Sequence, residues 1–380
     1  MTTSPLEGLK VLELARVLAG PWIGQTLADL GAEVIKVESP AGDDTRRWGP
    51  PWVEQDGHRS AAYYHACNRG KRSIVADFRT DEGKKIVQTL AAQSDVLVEN
   101  FKHGGLAKYG LEYASLRALN PGLVYCSVTG FGQTGPYADL AGYDFIIQGM
   151  SGLMDITGEA DGAPQKVGIA IADLLTGLYG VIGIQAALAA REKTGEGQHI
   201  DMALMDCMTG VLANQAMNYL VSGESPKRMG PAHPNIVPYQ AFPVKDGYLI
   251  IAVGNDTQFR RLVDLLHLDD ARNKIFATNA GRVEHRAKLA PMIAEKTRLW
   301  RRDDLLEACE AHTIPAGPIN TMADVFDDPQ TIAREMAILV DGIPGVRTPI
   351  SFSSQNLTLQ RRAPRLDEHR AEILASIGLE

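Results

Sequence analysis

The chain has 380 residues, 45% of them hydrophobic and 22% charged, with a formal net charge of -8. That length exceeds one ordinary core and predicts two domains, and the composition excludes a disordered or low-complexity chain. Acidic and basic residues are interspersed, which excludes a nucleic-acid-binding face, while local basic clusters leave anionic small ligands open.

Residues 1–7 show no basic segment followed by an apolar core, so no secretory leader is expected. Five short β-branched runs occupy the first third: Lys10–Leu14, Glu33–Glu38, Ser73–Asp77, Asp95–Asn100 and Leu123–Thr129. Helical patterns near Trp22–Leu30 and Asp81–Gln93 separate them. The alternation predicts an α/β fold, βαβ units on a mainly parallel sheet with helices on both faces. Ligands bind such sheets at the carboxyl ends of the strands, so the loops after Leu14, Glu38, Asn100 and Thr129 are the places to look. The first loop, Ala15 to Pro21, is not G-x-G-x-x-G, and no NAD is expected. Ala170–Arg191 reads as one long helix. Its nearly apolar part, Leu174–Ala190, is about one turn short of the ~20 residues that span a bilayer. It also carries Thr176, Gln185 and three glycines, so a buried helix and no membrane partner are expected. A strand near His199–Ala203 and a second long helix, Asp206–Ser222, follow.

Pro226–Pro238 has the Pro and Gly content of a linker. Tyr239–Pro243 and Tyr248–Val253 read as a hairpin about Asp246-Gly247, and helices are expected near Gln258–His267, Arg282–Lys296 and Asp303–His312. Residues 226–325 are therefore predicted to be a smaller α+β domain. The tail, with a strand near Ile338–Val340 and a helix near Asp367–Ile377, returns to the large domain, which comprises 1–225 and 326–380. The cysteines at 67, 126, 207 and 309 match no metal-ligand spacing. They are expected to be reduced thiols of a cytoplasmic protein without a metal.

Several residues could carry chemistry. Asp173 begins an apolar helix, where it is either a first-turn acid that accepts backbone N–H bonds or a carboxylate aimed into a cleft, made more nucleophilic by desolvation. Asp144 has the same cap reading, and Tyr143 beside it is a packed aromatic or a catalytic group. Two basic clusters, Arg46-Arg47 and Arg69-Gly70-Lys71-Arg72, are either solvated faces or phosphate binders. Gly254-Asn255 is a turn whose N–H groups could cover an acyl group.

Together the ordered segments resemble class III CoA-transferases, a family that includes formyl-CoA transferase, carnitine CoA-transferase and α-methylacyl-CoA racemases. The resemblance rests on LEGLKVLELARVLAGPW (6–22), LGAEVIKVESPAGDDTR (30–46), NRGKRSIVADF (68–78), DVLVENF (95–101), SVTGFGQTGPYADLAGYD (127–144), IADLLTGLYG (171–180), KTGEGQHIDMAL (193–204) and IPAGPINTM (314–322). HPNIVPYQAF (233–242) and AVGNDTQF (252–259) look most like the succinyl-CoA:glutarate type. The resemblance implies a Rossmann-like large domain, an interlocked homodimer and a CoA-transferase acting on an acyl-CoA and a carboxylic acid. It implies that Asp173 forms an acyl anhydride and then an aspartyl-CoA thioester, with N–H groups near Gly254 on the oxyanion. It places Val17 and Leu18 beside CoA, although some members carry Gln at the Leu18 position. Lys71 and Arg72 would bind the nucleotide phosphates, and Asn100 and Phe101 would line the CoA path. A distal substrate carboxylate would need a cation, with Arg16, Arg46, His233 and Arg228 as candidates. The alternative is a 2-methylacyl-CoA racemase, whose Gly-x-Asp triplet holds a histidine where Tyr143 stands here.

Overall fold

The computed structural model describes residues 4–379; residues 1–3 and 380, which the sequence reading includes in the large domain, lie outside it. Six strands form one sheet: β1 (Lys10–Glu13), β2 (Glu33–Glu38), β3 (Arg72–Val75), β4 (Val96–Glu99), β5 (Val124–Thr129) and β6 (His199–Ala203). Every pairing is parallel and the order is β3-β2-β1-β4-β5-β6. This is the doubly wound order of dinucleotide-binding folds, with its switch point between β1 and β4. The central strands β1, β4 and β5 are buried on both faces, which is why Leu12, Leu97, Val98 and Val124 read as continuous apolar runs rather than alternating ones.

Helices cover the sheet. α1 (Ala19–Asp29) links β1 to β2, and α2 (Asp81–Ala92) starts at Thr80, whose side chain accepts from the Gly83 N–H. α3 (Asp144–Met150) precedes α4 (Ile171–Thr194). At 24 residues α4 is longer than its apolar stretch suggests, and by length and composition alone it could cross a bilayer. Instead Gly177 lies against Ala19 and Trp22 and Gly180 against Ile23, the close packing that its glycines permit. The single helix expected at Asp206–Ser222 is two, α5 (Leu204–Val211) and α6 (Ala213–Ser222), broken where Ala213 takes a φ of +45°.

The chain divides into two compact units: Met1–Leu153, Lys166–Glu224 and Pro329–Glu380 in the first, Met154–Gln165 and Ser225–Asp328 in the second. Met154–Gln165, which the sequence reading keeps with the large domain, belongs to the second unit, where Gly158 C=O accepts from the Gly230 N–H at 3.0 Å. That unit has a three-stranded antiparallel sheet, β7 (Tyr239–Val244), β8 (Gly247–Ala252) and β9 (Ala316–Pro318). Phe242, Leu249 and Ile251 pack there with Phe259, Leu262, Leu289, Ile293 and Leu305 from α7 (Asp256–Leu265), α8 (Arg286–Thr297) and α9 (Arg302–Ala311).

The tail returns to the first unit and closes the outer edge of β3. His369 donates its N–H to Ser73 C=O at 3.0 Å, the Val75 N–H donates to Asp367 Oδ1 at 2.7 Å, and Arg370 Nη1 donates to Val75 C=O at 2.8 Å. Arg370 also opens α10 (Arg370–Ser376), whose Ile373 enters the core.

Beneath the carboxyl ends of β1 and β2 lies a buried charge cluster. Lys36 Nζ is 3.0 Å from both Glu13 Oε1 and Asp43 Oδ2, and Lys71 Nζ is 2.7 Å from Glu13 Oε2. Two acids and two bases cancel, which is the condition for keeping charge in a core. A β-carbon at Gly24 would overlap Glu13 Oε2, so α1 crosses this cluster only with glycine there. Gly24→Ala is therefore expected to lower stability by about 1–3 kcal/mol. The measurement is the urea midpoint at unchanged slope; an undiminished midpoint would show that the cluster yields freely.

Candidate active site

A cavity of about 220 Å³ opens at the carboxyl edge of the large sheet. Four loops line it: Arg16 to Ala19 after β1, Asp44 and Trp48 after β2, Asn100 to His103 after β4, and Val128 to Gly130 at the end of β5. These are the loops that the parallel alternation singles out. Asp173 and Tyr143 also line it, so six expected site residues meet here: Val17, Leu18, Asn100, Phe101, Tyr143 and Asp173.

Asp173 sits in the first turn of α4 without capping it. The cap position is Ala170, which has no side chain for the task. Asp144 supplies the cap instead, across the fold: its Oδ1 accepts from the Ala172 N–H at 2.7 Å and the Asp173 N–H at 3.4 Å. Gln148 Nε2 holds the other oxygen of Asp144 at 2.7 Å. Asp144 thus caps α4 rather than its own helix, and the Asp173 carboxylate is left without a hydrogen-bond partner among the described residues. Burial, and then the Asp144 charge, push its pKa up to about 7. The side chain is half-buried and still borders the cavity. A carboxylate of this kind is poorly solvated, basic and accessible, which are the requirements of a nucleophile.

The loop after β1 is held from several sides. The Arg16 N–H donates to Asn100 Oδ1 at 2.8 Å and Asn100 Nδ2 donates to Arg16 C=O at 2.6 Å, which ties the two loops at the switch point together. Val17 has a φ of +70°. For a β-branched residue that conformation costs on the order of 1–3 kcal/mol. Leu18 is buried and begins α1 without a side-chain cap. Glu99 braces the loop after β4 by accepting the Phe101 N–H at 2.7 Å, while burial pushes its pKa up to about 7 against the pull of its hydrogen bonds.

Lys71 and Arg72 do not reach the cavity. Lys71 is fully buried, and besides Glu13 its ammonium is held by Asn68 Oδ1 at 2.9 Å and Pro21 C=O at 2.8 Å, which leaves it no donor for a phosphate. Arg72 starts β3, at the opposite edge of the sheet, and is paired with Glu372 at 2.7 Å. Arg46 is also engaged: it makes a two-pronged bond to Glu38 and lies 3.8 Å from the Tyr64 ring centre. The cations that do line the cavity are Arg16 and Lys102, with the His103 ring beside them. Arg16 makes a long 3.8 Å ion pair with Asp44 and lies 5.5 Å from the Phe101 ring centre, and His103 lies 3.1 Å from Asp139. Sequence reasoning missed Lys102 and His103, although they directly follow Asn100-Phe101. It also missed Trp48 and its edge-on neighbour Tyr63, whose hydroxyl is held well above the usual range by burial and then by the charge of Asp173.

Gly254, His233 and Arg228 belong to the second unit. The Gly254 N–H donates to Gln258 Oε1 at 2.8 Å, so the donor expected to serve an oxyanion is engaged within its own turn, where Asn255 caps α7. Arg228 pairs with Asp155 at 3.1 Å and His233 lies beside Tyr239. Among the described residues no group of His, Cys, Asp or Glu could hold a metal ion.

The sequence profile of CoA-transferase family III matches residues 6–370. A succinate–glutarate CoA-transferase of Agrobacterium fabrum is 58% identical, over 98% of this chain and 96% of its own length. The human succinyl-CoA:glutarate CoA-transferase is 41% identical, over 98% of this chain and 86% of its own. Among solved structures, a CAIB/BAIF family protein of Brucella suis superimposes with a TM-score of 0.90 at 64% identity, over 99% of this chain and all of that one.

With a pKa near 7, Asp173 can act as a nucleophile only once its proton is lost. The rate of the donor half-reaction, as kcat/KM, is expected to fall about tenfold per pH unit below about 7 and to level off above it. Asp144→Asn keeps an oxygen for the α4 cap but removes the like charge, so the acidic limb should move to lower pH. A limb that stays in place in that variant would show that burial alone sets the value.

Proposed function

The chain belongs to CoA-transferase family III, and on that premise we propose that it moves CoA from a succinyl-CoA-type donor to a dicarboxylic acid such as glutarate, with Asp173 carrying the acyl group. The observation that carries this reading is the unpartnered Asp173 carboxylate, freed from capping by Asp144 and facing the cavity.

The reaction follows from that geometry. The Asp173 carboxylate attacks the donor thioester, giving a mixed anhydride and CoA thiolate. The thiolate then attacks the aspartyl carbonyl; the donor acid leaves and Asp173 holds CoA as a thioester. The acceptor carboxylate displaces the thiolate to form a second anhydride, and the thiolate returns to the acceptor acyl carbon, freeing Asp173. Each leaving group is a stabilised anion, so one difficult exchange becomes easier steps. Of the four groups considered for a distal carboxylate, Arg16 is the one that lines the cavity; Lys102 gives the same mouth further positive charge for phosphate or carboxylate. A homodimer, interlocked as in the family, belongs to the same reading and is supported by exposed apolar side chains on α3 and α4, among them Phe145, Ile146, Leu178 and Ile182. A cytoplasmic setting suits four buried thiols without a disulfide. The racemase alternative is not favoured, since the curated relatives above are transferases and the residue before Asp144 is Tyr143 rather than a histidine.

Incubation with succinyl-CoA and glutarate in deuterium oxide, followed by mass spectrometry, tests this. Glutaryl-CoA should form without deuterium at the α-carbon, and Asp173→Ala should abolish it while CoA still binds. Deuterium uptake from a 2-methylacyl-CoA without an acceptor acid would sink the transferase reading. For the cavity mouth, Lys102→Ala and Arg16→Ala should each weaken CoA about tenfold. Arg72→Ala, paired elsewhere, should leave it nearly unchanged in the same titration.

A further inference from the structure

The loop that joins β1 to α1 is tied down residue by residue. Ala15 C=O accepts from Lys36 Nζ at 2.8 Å, Arg16 is clasped on both sides by Asn100, and Val17 C=O accepts from Cys67 Sγ at 3.4 Å. The remaining group, the Val17 N–H, points at Asp43 and is 3.3 Å from each carboxylate oxygen. Val17 stands at a φ of +70°, where its branched side chain crowds the backbone. Such a conformation persists only where the surroundings over-determine it. Asp43 is itself buried and fixed: Lys36 lies 3.0 Å from Oδ2, while the Thr45 N–H and hydroxyl donate to Oδ1 at 3.0 and 2.8 Å.

We propose that Asp43, oriented by Lys36, is a positioning residue for the transfer reaction, holding Val17 in its left-handed conformation and so fixing the cavity wall formed by Arg16, Val17 and Leu18. This rests on the reading of Asp173 as the acyl carrier in that cavity. Asp43 touches no reacting atom. It acts through the turn at Val17, which sends the chain from β1 into α1 and presents Leu18 and Ala19 to the cavity. A displacement of about 1 Å in such a wall costs on the order of 100-fold in rate. Lys36 itself cannot be removed cleanly, because Glu13 and Asp43 would both lose a buried partner.

The test is a cycle of wild type, Asp43→Ala, Val17→Gly and the double variant, assayed for transfer from succinyl-CoA to glutarate with Asp173→Ala as the blank. Asp43→Ala is expected to lower kcat about 100-fold, with KM for the thioester within about threefold and near-ultraviolet circular dichroism retained. Glycine adopts positive φ without strain, so the double variant should turn over at least about tenfold faster than Asp43→Ala alone. A folded double variant no faster than Asp43→Ala overturns the proposal. Asp43→Asn, which keeps an acceptor for the Val17 N–H and covers the case where the alanine variant does not fold, should hold kcat within about tenfold of wild type. A folded asparagine variant as slow as Asp173→Ala overturns it equally. Appreciable transfer by Asp173→Ala would instead overturn the reading of the site, a result that no behaviour of the Val17 cycle imitates.

Discussion

The ammonium of Lys36 lies between Glu13 and Asp43 in a place water does not reach. Burial alone would drive the proton off this lysine; Glu13, Asp43 and Glu38 together outweigh that and keep it charged. Much of the site hangs on this one contact. Glu13 belongs to β1 and Asp43 to the loop after β2, so Lys36 joins two neighbouring strands below the cavity and sets the height of the loops above it. Replacing such a cluster with apolar side chains often makes a core no less stable, so its retention speaks for geometry rather than for strength. The same cluster absorbs Lys71 and requires a glycine in α1, so it shapes the helix as well as the loop.

Much of the large sheet was legible in the sequence because a parallel strand buried on both faces is written as an uninterrupted apolar run. Lys10–Leu14, Glu33–Glu38 and Asp95–Asn100 each overlap an observed strand, and the four loops named from that alternation line the cavity. The charged residues were not legible in the same way. In sequence, Lys71 and Arg72 form one basic cluster with Arg69; in the fold, Lys71 points into the core and Arg72 toward the last helix. Local charge patterning does not record which face a residue turns to. The hairpin of Trp52–Gln55 and His58–Ala61 was also missed: it is short, polar and preceded by Pro50-Pro51, and its strands bury little. The break at Ala213 was not read either, because Gly210 three residues earlier stays inside the helix and the strain falls on an alanine.

Asp144 and Asp173 show how two carboxylates at neighbouring helix starts come to differ. Both were readable as caps, and the sequence could not choose between them. In the fold one carboxylate accepts two backbone N–H groups and an amide, and it satisfies the helix start. The second then has no such duty, and it feels the first only as a like charge. Structural satisfaction of one acid is therefore what leaves the other chemically available.

The edge of β3 raises a matter of timing. Its outward N–H and C=O groups are met by His369, Asp367 and Arg370, and Ser73 and His369 are 296 residues apart in the chain. During synthesis at roughly 5–20 residues per second, those partners arrive roughly 15–60 s after the strand itself. Until then β3 is an uncovered edge, the kind of template on which chains pair with one another. The second unit is made within that interval, so the last stretch of the chain seals a sheet whose other parts were made long before. Loss of only the final turns would leave most of the core in place and the adhesive edge permanently open, so aggregation rather than unfolding is the hazard written into this topology.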